Sequence, residues 1–255
     1  MRSGLPVLLL ISALGTGCNG PAAPAVPEPA AGPAWFEDVT EKVGLQFRHE
    51  AGPTGDYFMP QSVGSGAALF DYDGDGRLDI YLVQNGGPKS RAVNRLFHQR
   101  PDGTFEDVSA GSGLDVAGYG MGVAIGDVNN DGRPDVLVTE FRRLRLFLNQ
   151  GGGKFMEVSE EAGLNSRLWG TSASFVDYDR DGWLDLVVIN YIDYDGRACE
   201  NAGGKKDFCG PDAFPGSVVR LYHNLGPQPG GHGVRFEDVT LKSHLGEAPG
   251  PGLGV

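Results

Sequence analysis

The sequence predicts an all-β fold, a partial β-propeller of three to four four-stranded blades, on three observations. An Asp-rich motif recurs three times in register, two further strand-like phrases recur behind each copy, and turn residues are dense, with 41 Gly and 17 Pro in 255 residues. No long helical pattern competes with these signals.

The first 18 residues read as an export signal. Arg2 is the basic start, Leu5 to Leu14 the apolar stretch, and Gly15, Thr16 and Gly17 are the small residues before Cys18. The apolar run is too short to span a bilayer. The arrangement resembles a bacterial lipoprotein signal, which implies that Cys18 carries lipid, although Gly15 stands where such signals usually have Leu. Ordinary cleavage, with Cys18 removed or incidental, is the alternative. Residues 19–34 are rich in Pro and Ala, with nothing to bury, and read as a linker holding the folded part away from a membrane.

The repeats occupy residues 35–255. Segments 64–83, 120–139 and 170–189 align without gaps, and their first loop aspartates, Asp71, Asp127 and Asp177, are 56 and 50 residues apart. Behind each loop comes a phrase R-L-F/Y-x-x, at Arg95, Arg145 and Arg220. A second phrase follows a Gly-rich turn, at Phe105, Phe155 and Phe236, with a leading copy at Phe36. Each unit therefore holds about four strand-like pieces, the content of one propeller blade. The third unit is longer, and its surplus, residues 191–216, is expected to be an inserted surface loop with few apolar residues. Cys199 and Cys209 close a short loop within it, which an oxidising compartment would turn into a disulfide; two free thiols are the alternative. Gly252–Val255 matches Gly120–Val123, the strand leading into a loop, so the expectation is a chain cut before a fourth site.

The loops carry the chemistry. Asp at positions 1, 3 and 5 gathers short carboxylates around one centre, Gly at position 6 permits a sharp turn, and position 7 offers its carbonyl. Hard oxygen donors of this number suit Ca²⁺. An EF-hand begins in the same way but needs Glu at position 12 and a following helix. Position 12 is Leu82, Val138 or Val188 here, and the last acid sits at position 9. The expected ligands of about three calcium ions are Asp71, Asp73, Asp75 and Asp79; Asp127, Asn129, Asp131 and Asp135; and Asp177, Asp179, Asp181 and Asp185. A set of merely solvated turns is the plainer reading, which three copies in register argue against. The formal charge of −12 argues against nucleic acid, since no Lys/Arg cluster is visible. The eleven loop aspartates account for much of that excess.

The pattern G-x-G-x-x-x-x-D-x-D/N-x-D-G-x-x-D resembles FG-GAP/VCBS repeats. With the R-L-F/Y-x-N and F-x-D-V-S/T phrases and the segments Phe208-Cys-Gly-Pro and Phe214-Pro-Gly, it is most similar to bacterial relatives of cartilage acidic protein. Members commonly end in an ASPIC/UnbV segment, for which residues 35–255 have no counterpart. The resemblance implies a seven-bladed propeller and a cell-surface binding or adhesion role toward a protein or glycan.

Other residues are weighed against that reading. His98 and His223 occupy equivalent positions, but Leu148 fills the same place in the middle repeat, so a packing or surface role is expected of them rather than catalysis or metal ligation. Asp193 and Asp195 could extend the third calcium site or contact a partner, and a solvated loop is the plainer reading. Trp35 and Trp169 are expected in the core, and Trp183, in place of Arg77 and Arg133, on the surface as a ligand-contacting residue. No nucleophile elbow, phosphate-cradling loop or His-rich pair is visible. A non-enzymatic binding module is therefore expected; a calcium-dependent polysaccharide lyase and a scaffold for a downstream domain are the alternatives.

Overall fold

A computed structural model describes residues 35–52, 57–227 and 233–254. The expected signal, Cys18 and the linker lie outside them. The chain divides into units 1–38 and 39–255. In the first, residues 35–38 form no strand, so the leading copy at Phe36 is not the strand its sequence suggested, and Trp35 is exposed instead of buried.

The second unit is three four-stranded antiparallel meanders. The first comprises β1 (Ala67–Phe70), β2 (Asp79–Leu82), β3 (Arg95–Gln99) and β4 (Phe105–Asp107). The second comprises β5 (Gly120–Gly126), β6 (Asp135–Glu140), β7 (Arg143–Gly151) and β8 (Lys154–Glu157). In the third, β9 (Gly170–Val176) and β10 (Asp185–Asn190) precede the hairpin of β11 (Cys199–Glu200) and β12 (Lys206–Asp207). That sheet closes with β13 (Arg220–Asn224) and β14 (Phe236–Asp238). Each sheet thus has one blade's worth of strands in sequence order, as the repeats predict.

The blades stack face to face. Successive side chains of β6 point opposite ways, so Val136 and Val138 pack with Phe70, Tyr81 and Leu96 of the first blade. Leu137 packs with Leu186, Val188 and Tyr222 of the third. A strand covered on both faces needs no polar side, which is why all of β6 is buried. The second glycine of the G-x-G motif lets first strands meet closely: a Cβ on Gly66 would lie 3.0 Å from the Gly122 Cα, and one on Gly122 would lie 2.7 Å from the Thr171 carbonyl.

The recurring phrases have recurring tasks. In each blade the phrase-opening arginine pairs with the acid of the fourth strand: Arg95 with Asp107, Arg145 with Glu157, Arg220 with Asp238. The hydroxyl two residues beyond that acid accepts the third strand's backbone N–H, through Ser109, Ser159 and Thr240. Seven residues after each phrase-opening Phe, a carbonyl accepts the N–H of the next blade's Phe: Val43 from Phe105, Ser112 from Phe155, Ala162 from Phe236. The residue that follows is Gly44, Gly113 or Gly163, with φ of +80°, +90° and +80°. A Cβ at Gly113 would stand 2.2 Å from the Phe155 carbonyl, so the left-handed turn and the close approach both require glycine.

Residues 191–216 differ from expectation. Cys199 and Cys209 form the disulfide, but Tyr191, Ile192, Tyr194, Cys209 and Phe214 are buried. They join Met59, Met121 and Trp169 in a third core cluster. The Tyr194 ring contacts those of Phe58, Phe141, Trp169 and Phe214. The insertion is a cap with its own core, because its aromatics meet rings supplied by distant segments.

Gly252 holds toward the third blade the place that Gly120 holds toward the first. Gly120 donates its N–H to the Gln84 carbonyl, and Gly252 donates to that of Asn190, each five residues beyond the ninth-position Asp.

Candidate metal centre

All three Asp-rich loops join the first strand of a blade to the second, so they share one end of the stack. Their turns are written in backbone hydrogen bonds to the first aspartate. Asp71 accepts from Gly74, Asp75 and Gly76; Asp127 from Asp131 and Gly132; Asp177 from Asp181 and Gly182. Gly76, Gly132 and Gly182 have φ of +83°, +84° and +90°, the left-handed turn that position 6 demands. Although burial pushes Asp71 upward, these donors hold its carboxyl below the usual carboxylate range.

The ninth-position aspartates are fully buried. Each bridges its loop and the third strand. Asp79 accepts from Tyr72 N–H at 3.2 Å and Gln99 N–H at 2.8 Å; Asp135 from Val128 at 3.0 Å and Asn149 at 2.8 Å; Asp185 from Tyr178 at 3.1 Å and Asn224 at 2.8 Å. Burial pushes the Asp135 carboxyl up to about 7, against the pull of these N–H groups and helped by Asp131 and Asp127. Asp79 is likewise raised by burial.

In the first loop Asp71, Asp73 and Asp79 each bring an oxygen within 4.8 Å of the others, and in the third Asp177, Asp179 and Asp181 do the same. The middle loop has Asn129 where the others have Asp, and its amide donates to Asp131 at 3.0 Å; among the described residues it gathers no such triple of carboxylates. Arg77 pairs with Asp75, and Arg133 with Asp131 at 2.5 Å. Trp183 replaces this arginine in the third loop and leaves Asp181 without that cation. It is half-buried, its indole facing Gly226, and so is not the exposed residue its position suggested. The loop side chains are carboxylates and, at Asn129, an amide, a hard-oxygen set that fits a divalent cation of the calcium class. Burial and the like charges of Asp131 and Asp127 raise Asp135, and a divalent cation among these carboxylates would favour its charged form.

The loops are tied across blades by asparagines. Asn149 donates from Nδ2 to the Tyr72 carbonyl at 2.8 Å, and Asn224 to that of Val128 at 2.9 Å. Asn130 reaches the Gly182 carbonyl at 2.9 Å. The Asn that ends R-L-F/Y-x-N is therefore an inter-blade staple, a role visible only once the blades are stacked.

Two sequence expectations move. Asp193 and Asp195 lie beyond the far end of β10 from the third loop, where Asp195 pairs with Arg197, so they do not extend that site. His98 and His223, expected to pack, face the carboxylates. His98 Nδ1 lies 3.2 Å from Asp79 and 3.5 Å from Asp73, and His223 Nδ1 lies 3.0 Å from Asp185 and 3.5 Å from Asp179.

The FG-GAP-like repeat family matches residues 71–138 and 127–188. Cartilage acidic protein 1 of Homo sapiens is 43% identical over 60 residues, 23% of this chain and 8% of that protein. The Xenopus tropicalis protein of the same name is 36% identical over 75 residues, 29% of this chain and 11% of that protein. The chain thus spans about a tenth of the length of these relatives. A structure described as RAG in complex with one melted and one unmelted RSS aligns over 69% of this chain and 68% of that one, at 14% identity and a TM-score of 0.32. Residues 71–188, which hold the second blade and parts of the first and third, thus carry FG-GAP-like repeats.

Proposed function

We propose that this chain is an exported, calcium-binding propeller module that acts by binding a partner at the cell surface and performs no catalysis. The observation that carries the calcium reading is the threefold recurrence of one loop geometry, with a buried ninth-position carboxylate in every copy. The ligand sets are Asp71, Asp73, Asp75, Asp79 and the Arg77 carbonyl; Asp127, Asn129, Asp131, Asp135 and the Arg133 carbonyl; and Asp177, Asp179, Asp181, Asp185 and the Trp183 carbonyl. The Cys199–Cys209 disulfide is consistent with an extracellular location. Among the described residues no helix is long and apolar enough to cross a membrane. Attachment through lipid on Cys18 is the proposed anchor. The binding role rests on the FG-GAP-like repeats and on the likeness to cartilage acidic protein 1.

Calorimetric titration of the chelator-treated chain with Ca²⁺, paired with thermal melts in EDTA and in Ca²⁺, tests this. Saturation to 100 times Kd should add about 2.7 kcal/mol per ion, a rise of several degrees in Tm. An unchanged Tm and no titration heat would overturn the calcium reading.

A further inference from the structure

The first blade carries a cavity at the end of the stack away from the Asp-rich loops. We propose that it binds a carboxylated sugar of an acidic glycan, with Arg48 and Lys89 holding the carboxylate, Glu50 and Ser90 the hydroxyls, and the Tyr119 ring one face of the pyranose. This inference deepens the partner-binding reading above, whose partner it names, and rests on it.

The connection between second and third strands is residues 141–142 in the middle blade, but in the first it runs from 83 to 94. It leaves β2 at the end opposite the first Asp-rich loop, and part of it, residues 86–90, forms one wall of a cavity of about 1020 Å³. Residues 48–52 form the second wall and Tyr119 the third. Hydrogen bonds fix all three. The buried Gln84 side chain accepts from the Glu50 N–H at 2.8 Å and donates to the Arg48 carbonyl at 2.9 Å. Gly87 donates its N–H to the Gly118 carbonyl at 2.9 Å. Its φ is +90°, and a Cβ there would stand 2.7 Å from the Tyr119 ring, so loop and ring meet directly. Phe58 and Phe141 also contact that ring, with centres 5.2 and 6.3 Å away. The cavity is therefore shaped before any ligand enters, which lowers the ordering cost of binding.

The lining selects the ligand. Arg48 and Lys89 are exposed, and among the described residues neither is in an ion pair. Two cations without a counter-charge in one cavity, in a chain of formal charge −12, favour an anion, and the planar Arg fork matches a carboxylate by two-point contact. A bare phosphate or sulfate would be repelled by Glu50, which lines the same wall as Arg48. Sugar hydroxyls instead donate to such a carboxylate, and the Ser90 hydroxyl offers a further partner. Tyr119 supplies the apolar face on which a sugar ring can lie. An acidic peptide brings carboxylates but no hydroxyls for Glu50 to accept from. Cation, hydroxyl acceptor and aromatic face together fit an acidic sugar. The loop aspartates crowd the opposite end of the stack, so a polyanionic chain is steered to this one.

The test titrates the full chain in Ca²⁺ by calorimetry with tetragalacturonate, beside neutral tetragalactose, hexaglutamate and sodium sulfate. The uronate should bind, and each of the others should bind at least about tenfold more weakly. Arg48→Gln and Lys89→Gln should each weaken the uronate about tenfold, the loss of one charge-assisted contact, with Tm unchanged. Glu50→Ala separates sugar recognition from plain charge: removing a hydroxyl acceptor should weaken the uronate, whereas a simple anion site would tighten once the acid is gone. No binding of the uronate, equal binding of sulfate, hexaglutamate or the neutral sugar, or tightening in Glu50→Ala would overturn the sugar assignment. The broader reading has its own readout, retention of the labelled chain on intact cells. Equal retention of the wild type and the double variant Arg48→Gln, Lys89→Gln would overturn the cavity's role and leave surface binding standing. Retention of neither, with the uronate still titrating, would overturn the surface role alone. Discrimination by the wild type between uronate and neutral sugar decides the matter even if a variant fails to fold.

Discussion

Arg145 shows how a residue acquires its role from the strands on either side of it. It is nearly buried, with Nε 3.1 Å from Glu140 and Nη1 3.2 Å from Glu157. Its counterparts Arg95 and Arg220 are more exposed and, among the described residues, pair with the fourth-strand acid alone, which makes them surface pairs of small worth. Arg145→Met would strand Glu140, whose carboxyl burial already holds above its ordinary range even with the arginine beside it. Removing one partner of a buried pair costs about 3–5 kcal/mol. The pH dependence has a definite sign: a carboxyl with a raised folded-state pKa keeps its proton more tightly in the folded chain, so the cost is small below the unfolded value of about 4.3 and grows as pH rises. Denaturant melts should show a larger loss for Arg145→Met at pH 8 than at pH 5. An equal loss at both would assign Arg145 a packing role instead. The sequence displayed the Arg phrase and the F-x-D/E phrase as separate recurrences; their pairing was hidden because recurrence along a chain does not say which strands are neighbours. The same gap hid the imidazoles: Leu148 in the middle repeat argued against a shared role for His98 and His223, whereas both rings face the ninth-position carboxylate of their own blade.

At the scale of elements, the strand meanders were legible because turn residues punctuate them and the ninth-position Asp opens every second strand. The insertion was not, since its apolar residues are scattered singly and find their partners in Phe58, Phe141 and Trp169, remote in sequence. This fixes which of two supports matters more. The Cys199–Cys209 bond closes a loop with a sequence separation of 10, worth about 2–3 kcal/mol by chain-entropy reasoning. Tyr194 is almost wholly buried, touches four rings, and its hydroxyl accepts from Met59 N–H while donating to the Arg197 carbonyl. Truncating a buried aromatic of that kind costs about 3–5 kcal/mol. Tyr194→Ala should therefore lower stability more than replacing both cysteines with serine, measured by denaturant unfolding of the two variants. The reverse order would restore the expected picture of a surface loop held mainly by its disulfide.

For the molecule as a whole, the staples make the three loops a chain of contacts instead of three separate sites. Asn149 grips the first loop from the second blade, Asn224 grips the second loop from the third blade, and Asn130 links the second and third loops directly. The Asn149 and Asn224 bonds are buried and costly to leave unmade, while the Asn130 bond is exposed and weaker, so an ordered loop favours the ordered form of its neighbour chiefly through the first two. Ion binding in the middle loop should then reach both outer blades. Asp127→Ala removes the carboxylate that shapes that loop by accepting from Asp131 and Gly132. Hydrogen exchange in Ca²⁺ should be faster in this variant not only at residues 127–135 but also around Tyr72, 55 residues before Asp127, and Gly182, 47 residues after Asp135. Weaker calcium binding by the outer loops should accompany it, because coupling between sites is reciprocal. Exchange changes confined to residues 127–135 would show that the loops are uncoupled and that the asparagines merely align the stack.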